Sequence, residues 1–241
     1  MLYDYPNQPF VKSVMNSLHY GFWPFDEGNW KDDYDDVIQN YSMKEANFKA
    51  IWAFHDDEIQ AHRWSEPLSL NILCPGMKLS PIFVAWQRGK ARIITDHTAS
   101  GLNDCIPKLE AKVHYDDMHT FGQAIYNAKR AHPNEALVTW RSDVSSAFLN
   151  LPAHPLYQLR QVVDVDNIWC LIHQLVFRNC ALPRCWCLVS GLMCWMGIKK
   201  FKIKDLHDFM DNFFSWGLAS DLIVYKGIAD AQLPCCKQKL N

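Results

Sequence analysis

No apolar stretch in this sequence is long enough to cross a bilayer. The longest, around Cys185 to Ile198, falls short of the ~20 residues that a spanning helix needs, so it reads as a buried helix and no membrane partner is expected. No Cys-x-x-Cys pair occurs among the nine cysteines, and their number is odd. Cys185-Trp-Cys187 and Cys235-Cys236 have zinc-ligand character, but no second paired set stands at ligand spacing, and buried free thiols are the better reading. The lack of a disulfide framework and of a signal-like N-terminus predicts a reducing, intracellular setting (cytoplasm or nucleus), not a secreted protein. Neither sign of charge dominates. A formal net charge of -2 is neutral on a nucleic-acid partner, which needs basic patches rather than a basic total. Internal repeats and low-complexity tracts are also absent.

What is present is a globular composition. The 241 residues are 49% apolar and 21% charged, enough chain for one large domain or two small ones with a real core. The acidic run Asp32-Asp33-Tyr34-Asp35-Asp36 reads as a solvated loop. Ser42, with Glu45 three residues on, reads as a capping box. It opens a helical pattern with apolar residues at Phe48, Ile51, Trp52, Ile59 and Trp64, ended by Pro67. Ser80–Trp86 and Ala91–Asp96 flank Gln87-Arg-Gly-Lys90, a β-hairpin with glycine in its turn. By the period of two, Lys90, Arg92, Ile94 and Asp96 share one face. A helix is expected over Met118–Ala131. A strand follows to Asp143, then a turn or short helix over Ser145–Leu149. Leu159–Val165 and Ile168–Val176 read as strands with a turn near Asp164-Val-Asp-Asn167. The buried helix comes after Pro183. The order of elements predicts an α+β fold, an antiparallel sheet with helices on one face.

Two carboxylates stand out against this background. Asp143 closes the apolar run Ala136-Leu-Val-Thr-Trp-Arg-Ser-Asp143. Asp211 lies in Leu206-His-Asp-Phe-Met-Asp211-Asn212-Phe-Phe-Ser-Trp216, which reads as two short strands joined by a tight Asp-Asn turn. A carboxylate at the tip of a buried hairpin is costly unless a cation meets it. Taken singly, each is an ordinary strand-end or turn aspartate. Brought together by a sheet, they make a divalent-metal site.

These residues fall into an ordered set of motifs. Tyr5-Pro6 and Gly21-Phe-Trp-Pro24 form a lead-in, and Pro81–Asp96 with Leu102-Asn103 forms a fingers-like hairpin. Ser142-Asp143-Val-Ser-Ser-Ala147-Phe148 looks like a first palm motif, and Val176-Phe177 to Pro183-Arg184 with its helix like a second. Phe209-Met210-Asp211-Asn212 looks like the tetrapeptide Tyr-x-Asp-Asp. Over Tyr5 to Tyr225 the chain resembles a reverse transcriptase, an RNA-directed DNA polymerase, most closely that of fungal retrotransposons of the tyrosine-recombinase type. The resemblance implies a right-hand polymerase fold of fingers and palm, with an antiparallel palm sheet packed on helices. It divides the chain into a lead-in (1–78), a fingers-like part (79–135), a palm-like part (136–228) and an irregular tail (229–241).

The resemblance also implies the chemistry. Asp143, Asp211 and Asn212 would be the catalytic set, with Asp143, Asp211 and the Val144 carbonyl as ligands of two Mg²⁺ (or Mn²⁺) ions. Two-metal nucleotidyl transfer activates the primer 3′-hydroxyl and stabilises the leaving pyrophosphate. Lys90 and Arg92 would grip the triphosphate of a deoxynucleoside triphosphate, since an arginine fork pairs with phosphate oxygens. Val144 and Phe148 would line the nucleotide site, Phe148 against the sugar. Gln87 and Arg88 stand where lysines are usual. The partners implied are an RNA or DNA template with its primer. Lys199, Lys200, Lys202 and Lys204 read as a solvated run, and Phe213, Phe214 and Trp216 as core.

Three departures weaken the pattern. Asn212 replaces an aspartate beside the metals, where a unit charge pair at ~4 Å and an effective dielectric near 20 is worth about 4 kcal/mol. An amide oxygen can still ligate a hard cation, and some viral RNA polymerases carry Asp-Asn at the matching turn. Arg178 stands where glycine is usual, and Leu182 where a small residue precedes the proline. No thumb, ribonuclease H or recombinase segment is recognisable, so the chain reads as truncated and partly degenerate. Weak or absent activity is expected. The alternative is a catalytically silent nucleic-acid-binding module derived from a reverse transcriptase.

Overall fold

A computed structural model describes residues 1–30, 38–41, 43–113, 115–221 and 236–237. The fold is mixed α+β. The helices are α1 (Gln8–Tyr20), α2 (Glu45–Gln60), α3 (Met118–Ala131), α4 (Pro155–Gln158) and α5 (Leu182–Lys199). The strands are β1 (Leu79–Ser80), β2 (Ile82–Gln87), β3 (Lys90–Thr95), β4 (Leu137–Val144), β5 (Val162–Val165), β6 (Ile168–Leu171), β7 (His207–Phe209), β8 (Asn212–Leu218) and β9 (Cys236–Lys237). Among the described residues no helix is long and apolar enough to cross a membrane. The acidic run at 32–36 and the capping serine Ser42 lie outside the described residues. The residue in the N-cap position of α2 is Lys44, whose side chain makes no cap hydrogen bond.

The strands do not form the single antiparallel sheet expected. They divide into three sheets, ordered β1-β5-β6, β2-β3 and β7-β8-β4-β9, and β1 runs parallel to β5. Local turn chemistry accounts for much of the division. Arg88 and Gly89 have φ of 51° and 76°, and Asp166 and Asn167 have φ of 54° and 63°. Positive φ at both central residues closes a two-residue hairpin whose twist suits its strands. The β2-β3 hairpin forms a ladder by itself, whereas β5-β6 takes β1 as a further strand.

The chain divides into two compact units, neither of them continuous. One comprises Met1–Val14, Val113–Ala147 and Trp186–Asn241; the other comprises Met15–Lys112 and Phe148–Cys185.

In the second unit α2 packs on both β2-β3 and β5. Ile51 and Trp64 meet Ile82, Val163, Val165, Cys170 and Ile172 in one core. The lead-in is held by a fully buried ion pair. Arg160 Nε donates to Asp26 Oδ2 at 2.8 Å, and the guanidinium lies 4.8 Å from the Trp30 ring centroid. Removing one partner of such a pair strands the other charge, at a cost of about 3–5 kcal/mol. Gly21 explains part of the Gly21-Phe-Trp-Pro24 motif. Its φ is 95°, and a Cβ there would collide with the backbone of Ala153 and His154. That close approach lets Phe22 pair with Ala153 as a parallel bridge.

In the first unit helices cover both faces of the sheet, not one. Phe121 of α3 packs its ring on His207 and Phe214, which are cross-strand partners. Ser190 of α5 reaches Asp208, which alternation places on the opposite face. The start of α3 is capped by Asp117, whose carboxylate accepts from the Thr120 amide at 2.6 Å. The expected bounds of α3 match those observed.

His97, in the second unit, is fully buried, and neither ring nitrogen has a hydrogen-bond partner. Burial pushes its pKa down to about 4. The unfolded chain protonates near the ordinary value of about 6.5, so between these values the unfolded state binds more protons. Stability from neutral His97 is thus complete above about pH 6.5 and is lost as pH falls towards about 4, by on the order of 3 kcal/mol. Urea unfolding at pH 7 and pH 4.5 should show this loss, and His97→Leu should remove most of the difference.

Candidate functional site

The candidate metal site is built in the first unit by the pairing of β4 with β8. Seven consecutive pairs run from Leu137↔Leu218 to Asp143↔Asn212. The Val144 amide then donates to the Asp211 carbonyl at 2.8 Å. Because 144 and 211 are bonded, 143 and 212 form a non-hydrogen-bonded pair, the type with the closer side chains, about 4.5 Å between Cα atoms. Directly opposed residues share a face. Asp143 and Asn212 therefore project together, with Thr139 and Arg141 further along β4. Val144 points to the other side and is buried.

The turn is not the Asp-Asn turn expected. Phe209 pairs with Asn212, so Met210 and Asp211 form the two-residue connection and Asn212 begins β8. Met210 carries the positive φ, 57°. Such a backbone is uncommon for a bulky side chain. The Trp186 indole N–H donates to the Met210 carbonyl. Asn212 Nδ2 donates to Asp211 Oδ1 at 2.7 Å, which ties the Asp211 carboxylate to the residue that pairs with Asp143.

Asp208 lies on this hairpin and Asp116 beside it, with His207 Nδ1 3.5 Å from Asp116, while on β9 the residue paired with Asp143 is Lys237. Burial raises the Asp208 pKa, the Ser190 hydroxyl donating at 2.5 Å opposes that, and nearby Asp116 adds to the rise. Burial also raises the Tyr115 pKa, helped by Cys187, Asp208 and Asp211. Tyr115 packs against Phe209 at 5.3 Å between centroids. The Asp116 carboxylate accepts from the Asp208 amide at 3.1 Å, occupying a donor on edge strand β7.

The donors present fit a hard cation. Asp143 and Asp211 supply carboxylates. Asn212 Oδ1 is buried and has no hydrogen-bond partner, an oxygen whose desolvation is uncompensated within the protein. Among the described residues no group of three or more His, Cys, Asp or Glu side chains is gathered to hold a metal. The set is thus two carboxylates and an amide oxygen, the kind that suits Mg²⁺ when substrate phosphates and water complete its shell.

The remaining candidates belong to the second unit. Lys90 pairs with Gln87 and Arg92 with Ala85, so both cations lie on one exposed face of the β2-β3 hairpin. Asp96 does not continue that face. It leaves β3 and accepts from Thr98 and Ala99 amides at 3.1 and 3.0 Å and from the Tyr41 hydroxyl at 2.8 Å. Burial opposes ionisation of Asp96, but these donors and the nearby Arg178 hold its pKa below the ordinary carboxylate value. Phe148 lies in a 3₁₀ turn (Ala147–Asn150), with its ring 6.3 Å from that of Phe177. Arg178 has φ of 86°, a conformation suited to glycine. Asn103 clamps it, donating to the Arg178 carbonyl at 3.0 Å and accepting from the Cys180 amide at 3.0 Å. Leu182 is buried at the first turn of α5.

In the first unit Lys200 of the lysine run bonds Asp4 at 2.6 Å, and Lys204 lies 5.5 Å from the Trp216 ring. Phe213 and Trp216 are buried, as expected of core residues, and Phe214 is half-buried.

Sequence reasoning missed Trp186, Asn103 and Asp208 as supports of these loops. A buried indole does signal that its N–H needs a partner, but the partner is 24 residues away and only folding identifies it. Relief of the backbone at Arg178 should be measurable: Arg178→Gly is expected to stabilise the protein by about 0.5–1 kcal/mol in urea unfolding, since glycine has no Cβ penalty at positive φ. In comparisons with known proteins, no family model matches the chain and no curated protein matches it.

Proposed function

We propose that the chain is the fingers-and-palm part of an RNA-directed DNA polymerase from a retroelement, extending a primer on an RNA or DNA template. The observation that carries this reading is the cross-strand pair Asp143↔Asn212 with the Asp211 carboxylate tied to Asn212. It joins two acidic segments, far apart in sequence, at one end of a sheet. Asp143 and Asp211 would hold the metal ions, with Asn212 Oδ1 and the Val144 carbonyl as further oxygens. A bound pair of Mg²⁺ or Mn²⁺ ions supplies activation of the primer 3′-hydroxyl and charge stabilisation of pyrophosphate.

The protein's own groups do the rest by binding and orientation. Lys90 and Arg92 offer cationic donors to a triphosphate on an exposed strand face. Phe148 presents an aromatic edge or face to a sugar. Asn212 orients the Asp211 carboxylate through a neutral donor, without adding the second negative charge that would strengthen ion retention.

That last feature favours a second reading, a silent nucleic-acid-binding module that keeps the fold without turnover. It would bind primed template with strong salt dependence and release no pyrophosphate. Primer extension with Mg²⁺ or Mn²⁺ separates the two. On the polymerase reading the wild type makes short products, Asn212→Asp extends at least about tenfold more, as a recovered charge contact of 1.4 kcal/mol would give, and Asp143→Ala makes none. Extension that survives Asp143→Ala contradicts the polymerase reading; no extension by the wild type or Asn212→Asp favours the silent module.

A further inference from the structure

The hairpin that carries Asp211 is gripped by α5 at two points. Ser190 Oγ donates to Asp208 Oδ2 at 2.5 Å, and the Trp186 indole N–H donates to the Met210 carbonyl. The donors are four residues apart on a helix, about 6 Å along its axis and on one face. The acceptors are a side-chain oxygen on strand β7 and a backbone carbonyl in the connection that follows it. A single helix face therefore contacts both the strand and the turn of the hairpin. Both donors are buried, which makes the contacts directional, since a stranded donor there would be costly.

The Met210 carbonyl is the informative acceptor. It belongs to the peptide that joins Met210 to Asp211, and that peptide is planar. Holding its oxygen fixes the plane before Asp211, and the Val144 amide holds the Asp211 carbonyl after it, so the two contacts together set the direction in which the Asp211 side chain leaves the backbone. The Met210 side chain is exposed and its φ is 57°. On the other face Tyr115 packs on Phe209, one residue before the turn.

We propose that Trp186, seconded by Ser190, is a positioning residue for the Asp211 carboxylate, setting its aim toward the ion that Asp143 shares. This rests on the metal-binding reading of Asp143 and Asp211. Trp186 acts through the peptide and touches no reacting atom.

The test is Mn²⁺ affinity of the full chain by electron paramagnetic resonance, beside urea unfolding. Trp186→Phe keeps a buried ring and removes the N–H donor; Ser190→Ala removes the second contact. Leu192→Ala is the control, a buried α5 residue with no donor to the hairpin. Trp186→Phe is expected to weaken Mn²⁺ on the order of tenfold, the usual consequence of losing a group that orients a ligand. Ser190→Ala should weaken it less, and Leu192→Ala should lower the unfolding midpoint while leaving Mn²⁺ affinity in place. Unchanged affinity in Trp186→Phe, or an equal loss in Leu192→Ala, overturns the inference alone. Should Trp186→Phe fail to fold, Ser190→Ala decides, and full affinity there overturns it. A wild type that binds no Mn²⁺ removes the metal reading and the inference with it.

Discussion

The antiparallel ladder between β4 and β8 is the constraint on which the candidate site depends. Its register puts Asp143 opposite Asn212 and bonds the Val144 amide to the Asp211 carbonyl. A slip of one residue would send every side chain of one strand to the other face and separate the acidic groups. The register is well determined by burial. Phe213 and Ser215 on one face of β8 are buried, as is Trp216 on the other, with α3 and α5 covering the two sides. Packing on both faces therefore specifies which residues meet at the end of the sheet, and the chemistry of that end follows from core formation.

Both units use a similar device near the candidate residues. A bulky residue sits at positive φ, and a polar side chain from elsewhere in the unit holds its carbonyl: Asn103 at Arg178, Trp186 at Met210. Each strained residue costs of order 1 kcal/mol or more and persists because its surroundings over-determine it. The clamps are directional hydrogen bonds, so they fix orientation as well as offsetting strain. At both positions glycine would adopt the same backbone without a Cβ penalty. Asn212 is of a different kind. It exchanges a charge for a hydrogen bond to Asp211, which orders the carboxylate while reducing the negative potential available to a cation.

Much of the fold was legible in the sequence. The helix over Met118–Ala131, the hairpin around Arg88-Gly89 and the strand ending near Asp143 carry period and turn signals that act locally. The division into three sheets was not legible. Hairpin strands close on themselves, and whether a third strand joins them depends on long-range burial, which alternation alone does not encode. The register at the tip was misplaced by one residue for a similar reason. Asp-Asn is good turn chemistry, but the ladder continues to Phe209↔Asn212 and pushes the turn onto Met210 and Asp211. At the site, the pair of aspartates was visible as two interrupted apolar runs. Their supports were not, because the partners of Trp186, Asn103 and Ser190 lie 18 or more residues away along the chain.

The central claim is that Asp143 and Asp211 converge on one cation. Anomalous diffraction at a manganese-sensitive wavelength, from crystals grown with Mn²⁺, primed template and nucleotide, tests it most directly. The account predicts an anomalous peak within carboxylate-bonding distance of both side chains. A peak bound elsewhere, or a manganese-free hairpin with the two carboxylates turned apart, would contradict it.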